Sequence, residues 1–418
     1  MIRMSRAAPS PAAPARTPPG AHALVVLGIV VLAFNLRPAA VSVGPVLAET
    51  RAGLGMGHVT AGVLTSLPVV AFGAFGALAP WAARRVGVHR LTLAALVAVV
   101  LGLSLRALTS SVPLFLTLSV VALAGMASAN VLLPSLVKLH FPDRVGFFTS
   151  LYTTSLAVGL TAASAGTAPL AEASGSWRWA LGVWAATAAV AAVPWAFLVR
   201  HETAVSGTHR RVSLREVGGT RLGWAMALTF ALQSAMAYTA FGWFAQIYRD
   251  AGFSATEAGL LLGVLSGVSI PVSLWVPAAA ARRTDQRLLM LALVACYPVG
   301  YLGLAAFPVA GAWLWAVLVG IGAGLFPLVL TLIGLRSRTP QGTAALSAFT
   351  QSVGYVVAAF GPFGIGLLYD ATGGWTWPLV ALTVASLVTG AMTPLVARPG
   401  HVEDQLGHGG PSPAQRLR

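Results

Sequence analysis

Residues 22–48 read HALVVLGIVVLAFNLRPAAVSVGPVLA. An apolar run of this length crosses the ~30 Å hydrocarbon core of a bilayer as a helix. One charge interrupts it, Arg37, and Pro38 and Pro45 follow. At about 1.5 Å per residue, Arg37 stands roughly 20 Å along the helix, near the midplane. A charge there costs at least ~2.5–3.5 kcal/mol on insertion scales. Arg37 must therefore face a water-filled cavity or a partner. Pro38 and the pair Gly44-Pro45 break the hydrogen-bond ladder twice, which predicts a pliable, kinked span.

The same apolar pattern recurs to the end of the chain. Spans are expected at 22–48, 58–82, 90–109, 112–137, 145–170, 177–199, 222–247, 257–280, 287–307, 312–335, 343–369 and 376–396. The 418 residues are 57% hydrophobic and 9% charged, with a mean hydropathy of +0.80. A soluble domain carries about 25% charged residues, so the fold class is an all-α membrane protein with twelve transmembrane helices. Ten tryptophans near predicted span ends, Trp81, Trp195 and Trp243 among them, fit the headgroup zone.

The net charge of +15 could point to nucleic acid. The placement of the charges points to topology instead. Of 26 Lys and Arg residues, 21 lie on one set of loops and tails and four on the other. The positive-inside rule then puts both termini in the cytoplasm, as expected of a multi-pass protein of a bacterial cytoplasmic membrane. Arginine and alanine dominance points to a GC-rich bacterial genome. The expected organisation is a disordered tail over 1–21, a first six-helix bundle over 22–199, a cytoplasmic linker over 200–221, a second bundle over 222–397 and a disordered tail over 398–418. The basic linker reads equally as an interfacial segment on an anionic leaflet or as a solvated connection. The lone Cys296 permits no intrachain disulfide.

The chain repeats itself at a spacing near 195 residues. Pro80 to Arg85 answers Pro277 to Arg283, Leu133-Pro134 answers Phe326-Pro327, and Gly175-Ser176-Trp177 answers Gly373-Gly374-Trp375. The common order implies two pseudo-symmetric six-helix bundles, the build of the major facilitator fold, with a site near midplane between the halves. A monomer contains both halves.

Polar residues near the midplane are few. They are Asn35, Asn130, Tyr152, Gln233, Tyr238, Gln351 and Tyr355. Gln351 and Tyr355 are four apart and share a helix face. Together with Arg37 they form a candidate substrate cavity; each alone also fits an interhelical hydrogen bond. An arginine without a carboxylate partner is a natural anion receptor. Arg37 could instead hold carbonyls freed by Pro38. Arg84, Arg85, Arg282 and Arg283 are candidates for fixing the cytoplasmic ends of the bundles, against carbonyls or lipid phosphates, or serve topology alone.

No Asp or Glu falls inside a predicted span. Glu49, Glu172, Asp250, Glu257 and Asp370 lie at outer edges, and no histidine is expected to be buried. The sequence therefore offers no intramembrane proton carrier, although a proton remains a candidate coupling ion through an edge carboxylate such as Asp370. There is no Walker A loop, no HExxH or Cys/His cluster for a metal and no GxSxG element. Neither a cofactor nor an enzyme activity is expected, and the expected partners are a small-molecule substrate and the lipid bilayer.

With these residues in view, the chain resembles the cyanate/2-nitroimidazole transporter family of the major facilitator superfamily. The resemblance rests on Asn35-Leu36-Arg37-Pro38 and Ser42-Val43-Gly44-Pro45, then Asn130 to Pro134 with Lys138 and Phe141-Pro142. Leu151-Tyr152, Trp177-Arg178, Gln233, Tyr238 and Ala258-Gly259 complete it, so it covers nearly all of residues 22–396. In the loop after the second span, Ala83-Arg84-Arg85 sets Arg84 where the superfamily usually has an acid. Gly361-Pro362-Phe363-Gly364 in span eleven is read as a packing element.

The resemblance implies a secondary active transporter that moves a small solute by alternating access. An anion of the cyanate type fits Arg37 most directly. The alternative is efflux of neutral heteroaromatics such as nitroimidazoles. A membrane sensor that binds solute without moving it is the rival from another class.

Overall fold

The computed structural model describes residues 19–141, 144–199 and 214–405, and these are helical and loop segments with no strand among them. The tail over 1–18, most of the basic linker (200–213) and the terminus from 406 lie outside the described residues.

Twelve long helical runs lie among the described residues. The first, α1, is broken, with segments Pro19–Phe34, Pro38–Val41, a 3-10 turn Gly44–Val46 and Leu47–Leu54. There follow α2 (His58–Val86), α3 (Val88–Leu108), α4 (Val112–His140), α5 (Val145–Ser174) and α6 (Trp177–Leu198). The second half has α7 (Arg221–Asp250), α8 (Ala255–Ala281), α9 (Arg287–Ala306), α10 (Ala312–Gly322 with Leu325–Leu335), α11 (Pro340–Ala358 with Phe360–Thr372) and α12 (Thr376–Ala391, then Thr393–Val396).

Ten of these runs are long and apolar enough to span a membrane by composition alone. The other two, α5 and α7, are as long but richer in polar and small residues. α5 packs on α1, α6 and α8, while α7 packs on α2, α8 and both segments of α11. α7 is buried along most of its length, and a helix enclosed by protein need not be apolar all round.

The breaks in α1 follow from its prolines. Pro38 has no N–H, so the Phe34 carbonyl loses its helical donor. Residues 35–37 form a turn, and the chain leaves the helix again at Ser42 before the Gly44–Val46 turn. A Cβ at position 159 would stand 2.0 Å from the freed Phe34 oxygen, so only glycine lets α5 approach it.

The sequence repeat has a structural counterpart. Gly55 and Gly252, after α1 and α7, have φ of 68° and 103°; Gly175 and Gly373, after α5 and α11, have 65° and 70°. These left-handed conformations suit glycine at helix ends.

The halves meet along α2 with α11 and α5 with α8. Polar links between them gather at the end that carries the carboxylates. Arg249 pairs with Glu49, His58 Nδ1 lies 2.7 Å from Asp370, and Thr256 donates from its N–H to Glu172 at 2.9 Å. Glycines bring the backbones together there, with Gly44 against Phe241 and Gly62 against Phe363. The Gly361–Gly364 element packs there too: Trp243 Nε1 donates to the Pro362 carbonyl at 3.0 Å.

Several expectations are corrected. The segment 398–405, expected to be disordered, packs on the second half: Val402 is buried, its N–H donates to the Arg336 carbonyl at 2.8 Å, and Gln405 Oε1 accepts from Leu222 N at 3.0 Å. Within the expected linker, Leu214–Gly218 is helical. Trp195 and Trp243 are core residues, not interfacial ones. His89, at the start of α3, is buried, with Nε2 2.9 Å from His140 Nε2.

Candidate functional site

The break in α1 puts Arg37 at the centre of the molecule, half-buried. Its guanidinium lies 5.5 Å from the Phe72 ring of α2. Phe72 stacks on Tyr355 of α11, with centroids 5.5 Å apart, and tilts against Tyr238 of α7 at 6.5 Å. Tyr238 and Tyr355 therefore both border the ring that faces Arg37. One cation from the first half thus faces two phenols from the second across an aromatic ring. No carboxylate pairs with Arg37 among the described residues.

Tyr355 is held by an edge-on contact with Phe230 at 4.9 Å. Gln351, one turn away, is half-buried and donates from Nε2 to Ser347 Oγ at 2.7 Å, and its carbonyl oxygen has no partner among the described residues. Asn130 and Tyr152 are half-buried and make no side-chain hydrogen bond among the described residues. Gln233 is fully buried; its Nε2 donates to Ser234 Oγ at 2.7 Å and its carbonyl oxygen is unsatisfied.

Asn35 does not belong with this group. Thr187 Oγ1 of α6 donates to its Oδ1 at 2.7 Å, while Asn35 Nδ2 donates to the carbonyls of Val31 (2.8 Å) and Thr187 (3.2 Å). Its amide splices the broken first helix to α6. A carbonyl of the broken helix, that of Ala39, is held by a different arginine, Arg106 near the end of α3. Arg106 is fully buried and donates weakly to the Ala39 carbonyl at 3.4 Å and to Ser42 Oγ at 3.3 Å.

At the basic end of the bundle, the carbonyl contacts considered for Arg84, Arg85, Arg282 and Arg283 are not made by those of their side chains that are described. Arg85 is exposed and lies 4.3 Å from the Trp81 ring. Arg282 and Arg283 are exposed and hold no carbonyl with their side chains; the side chain of Arg84 lies outside the described residues. Arg336 performs that task. Its Nε donates to the Val396 carbonyl at 2.9 Å, and its Nη2 to the Ala397 carbonyl at 2.7 Å and to Gln286 Oε1.

Phe72 and Arg106 were missed in the sequence. A phenylalanine within an apolar span carries no distinguishing signal, and Arg106, two residues from the end of α3, reads as a headgroup contact.

Two six-helix halves, closed on each other at one end around a central cation, define a membrane carrier of the alternating-access class. The match to the Major Facilitator Superfamily model over residues 25–362 shows that the chain belongs to that family. It is 37% identical over 373 residues to the uncharacterized transporter YycB of Bacillus subtilis (88% of this chain, 92% of the relative). It is 33% identical to the 2-nitroimidazole transporter of Escherichia coli (87% and 93%) and 30% identical to its cyanate transport protein CynX (87% and 95%). Among solved structures, the nucleoside transporter NupG shares the fold, with a TM-score of 0.73 at 13% identity over 89% of this chain and 99% of that one. The protein is a multi-pass membrane transporter, not an enzyme.

Proposed function

We propose that the protein is a secondary active carrier for a small anion of the cyanate type, bound at Arg37. The observation that carries this reading is a central guanidinium with no carboxylate partner, flanked by the Tyr238 and Tyr355 phenols. In a site screened from bulk water, such a charge favours an anionic guest over a neutral one. Asn130, Tyr152, the Gln351 carbonyl and, with α7 shifted, Gln233 supply further polar wall. The arginine-rich end is cytoplasmic by the positive-inside rule, so the end closed at Glu49, His58 and Glu172 is the outer one. Arg84, Arg85, Arg282 and Arg283 then meet lipid phosphates on the cytoplasmic leaflet. The His58–Asp370 pair, which joins the halves at the outer end, is the place where a coupling proton would act.

A second reading has its own support. An apolar cleft of about 500 Å³ opens between α2 and α11, lined by Val63, Leu67, Val70, Val356, Phe360 and Phe363. It suits a neutral heteroaromatic reaching the aromatic site from the lipid, in keeping with the nitroimidazole relative.

Flux into proteoliposomes separates the two. With labelled cyanate, the parent should accumulate or exchange solute, and Arg37→Gln should raise the half-saturating concentration about 10- to 100-fold, since a hydrogen bond to a charged group is worth about 1.5–3 kcal/mol. Transport of 2-nitroimidazole by parent and folded variant alike, without cyanate flux, would replace the anion reading with the neutral one. Solute binding without flux would identify a sensor.

A further inference from the structure

The second half contains a hairpin that stands between two proline breaks. Pro327 offers no N–H to the Ala323 carbonyl, and Pro362 offers none to that of Ala358. α10 is interrupted after Gly322 and α11 after Ala358. Between these breaks, Leu325–Leu335 and Pro340–Ala358 are joined by a short loop, 336–339, at the basic end. Gln351 rides on this hairpin about two turns from the break at Ala359, so its place in the candidate site depends on how the hairpin stands.

The chain beyond α12 grips the tip of the hairpin. The Val402 N–H donates to the Arg336 carbonyl at 2.8 Å. Glu403 Oε1 accepts from the N–H groups of Arg338 and Thr339 at 2.9 and 3.0 Å. Asp404 accepts from both terminal nitrogens of Arg338, at 2.6 and 3.2 Å. The same stretch is anchored outside the hairpin. Gln405 Oε1 accepts from Leu222 N, at the start of α7, at 3.0 Å. The Ala397 carbonyl accepts from Gln286 N, just before α9, at 3.2 Å. Val402 is 0% exposed, so the docking is packed as well as polar. A hairpin hinged at its base and held at its tip swings only when the tip is let go.

We propose that residues 397–405 are a latch. Docked, they hold this hairpin to α7 and α9; undocked, they let it pivot at the two breaks and alter the opening between the halves at the basic end. The grip is a set of exposed ion pairs and hydrogen bonds, each weak by itself, so it can release without unfolding a span. The latch is separate from the choice of solute, because none of its residues lies at the Arg37 cluster.

The test uses the purified full chain in detergent, in a Cys296→Ser background. Spin labels go on Leu288→Cys, at the start of α9, and Gly334→Cys, near the hairpin tip. Leu288 is 81% exposed, and a Cβ at position 334 meets nothing within 4 Å. A bend of about 20° at Gly324, roughly 15 Å along the helix from Gly334, moves the second label by about 5 Å. Glu403→Gln combined with Asp404→Asn should add a population displaced by about that much. Arg338→Asp should do the same, and adding Asp404→Arg to it should restore the parent distance. If the Glu403 and Asp404 double variant does not fold, Arg338→Gln, which removes an exposed pair, takes its place with the same expected shift. Folded variants that keep the single parent distance, whatever their melting temperature, would overturn the proposal.

Discussion

One added methyl group at position 44 should open the transporter without unfolding it. Gly44 sits in the 3-10 turn of α1 and abuts α7 across the seam between halves. A Cβ built there would lie 2.0 Å from the Phe241 carbonyl oxygen and 3.2 Å from its carbon. In Gly44→Ala the two backbones must part by more than ~1 Å, an overpacking strain worth about 1–3 kcal/mol. The clashing atoms belong to the other half, so the halves can move apart while each keeps its own core. A bias of about 2 kcal/mol shifts the conformational ratio roughly 30-fold. Gly159→Ala provides the control, because its Cβ also stands 2.0 Å from a carbonyl oxygen, that of Phe34, but α1 and α5 share one half. Rocking cannot relieve that strain, so Gly159→Ala should lower the melting temperature. The assay is a distance measurement between spin labels on Gly57→Cys and Gly374→Cys, two positions at the carboxylate end with open space around them, in a Cys296→Ser background. Gly44→Ala should add a longer-distance population with little loss of stability, whereas Gly159→Ala should destabilise at unchanged distance. Equal melting losses in the two variants, with unchanged distances in both, would refute the argument that strain at the seam is relieved by rocking.

Two further outcomes follow from particular contacts. Thr187→Ala leaves Asn35 Oδ1 without its donor inside the first half and should cost about 1–3 kcal/mol in thermal unfolding, with solute Kd unchanged. Glu403 caps the start of α11, accepting from Arg338 N at 2.9 Å, Thr339 N at 3.0 Å and Thr339 Oγ1 at 3.1 Å, so Glu403→Gln should lose about 0.5–2 kcal/mol at neutral pH. Burial alone would raise this carboxyl's pKa, but the donors outweigh it and hold the pKa below its ordinary 4.5. The stability it adds is present above 4.5 and is lost as pH falls through the lowered folded value. The gap between parent and variant, followed by melting against pH, should close in that window.

Hydropathy carried the fold because a bilayer imposes one length and one polarity on every helix facing it. Of the two helices that fall short of that pattern, α7 is buried along most of its length, and α5 is rich in Ser, Thr, Gly and Ala. Arg37, Tyr238 and Tyr355 were legible for the same reason: polar groups at mid-span need an explanation in any membrane protein. Asn35 met that test equally well yet binds Thr187, 152 positions away, a contact no local pattern encodes. Arg106 failed it from the other side, since distance from a span end does not tell whether a long side chain reaches out to headgroups or inward to a broken helix. The order at 398–405 depends on caps to α11 and on Arg336, again through distant partners.

The broken first helix gives these placements one cause. Pro38 frees the Phe34 carbonyl, and departure from the helix at Ser42 frees that of Ala39. Glycine at 159 admits the first against α5, and Arg106 takes the second. Among the described residues Arg37 donates to neither carbonyl, so it carries no structural load of the kind its neighbouring proline would assign to it. A charge within a span that has no carboxylate partner among the described residues is still expensive to keep there. Its contacts are with rings and phenols on both sides of the seam, groups that change places when the halves rock. An anion seated between Arg37, Tyr238 and Tyr355 would bind the two halves to each other, and its affinity would depend on how they stand. Differential affinity for two conformations is what a solute needs in order to drive a carrier between them.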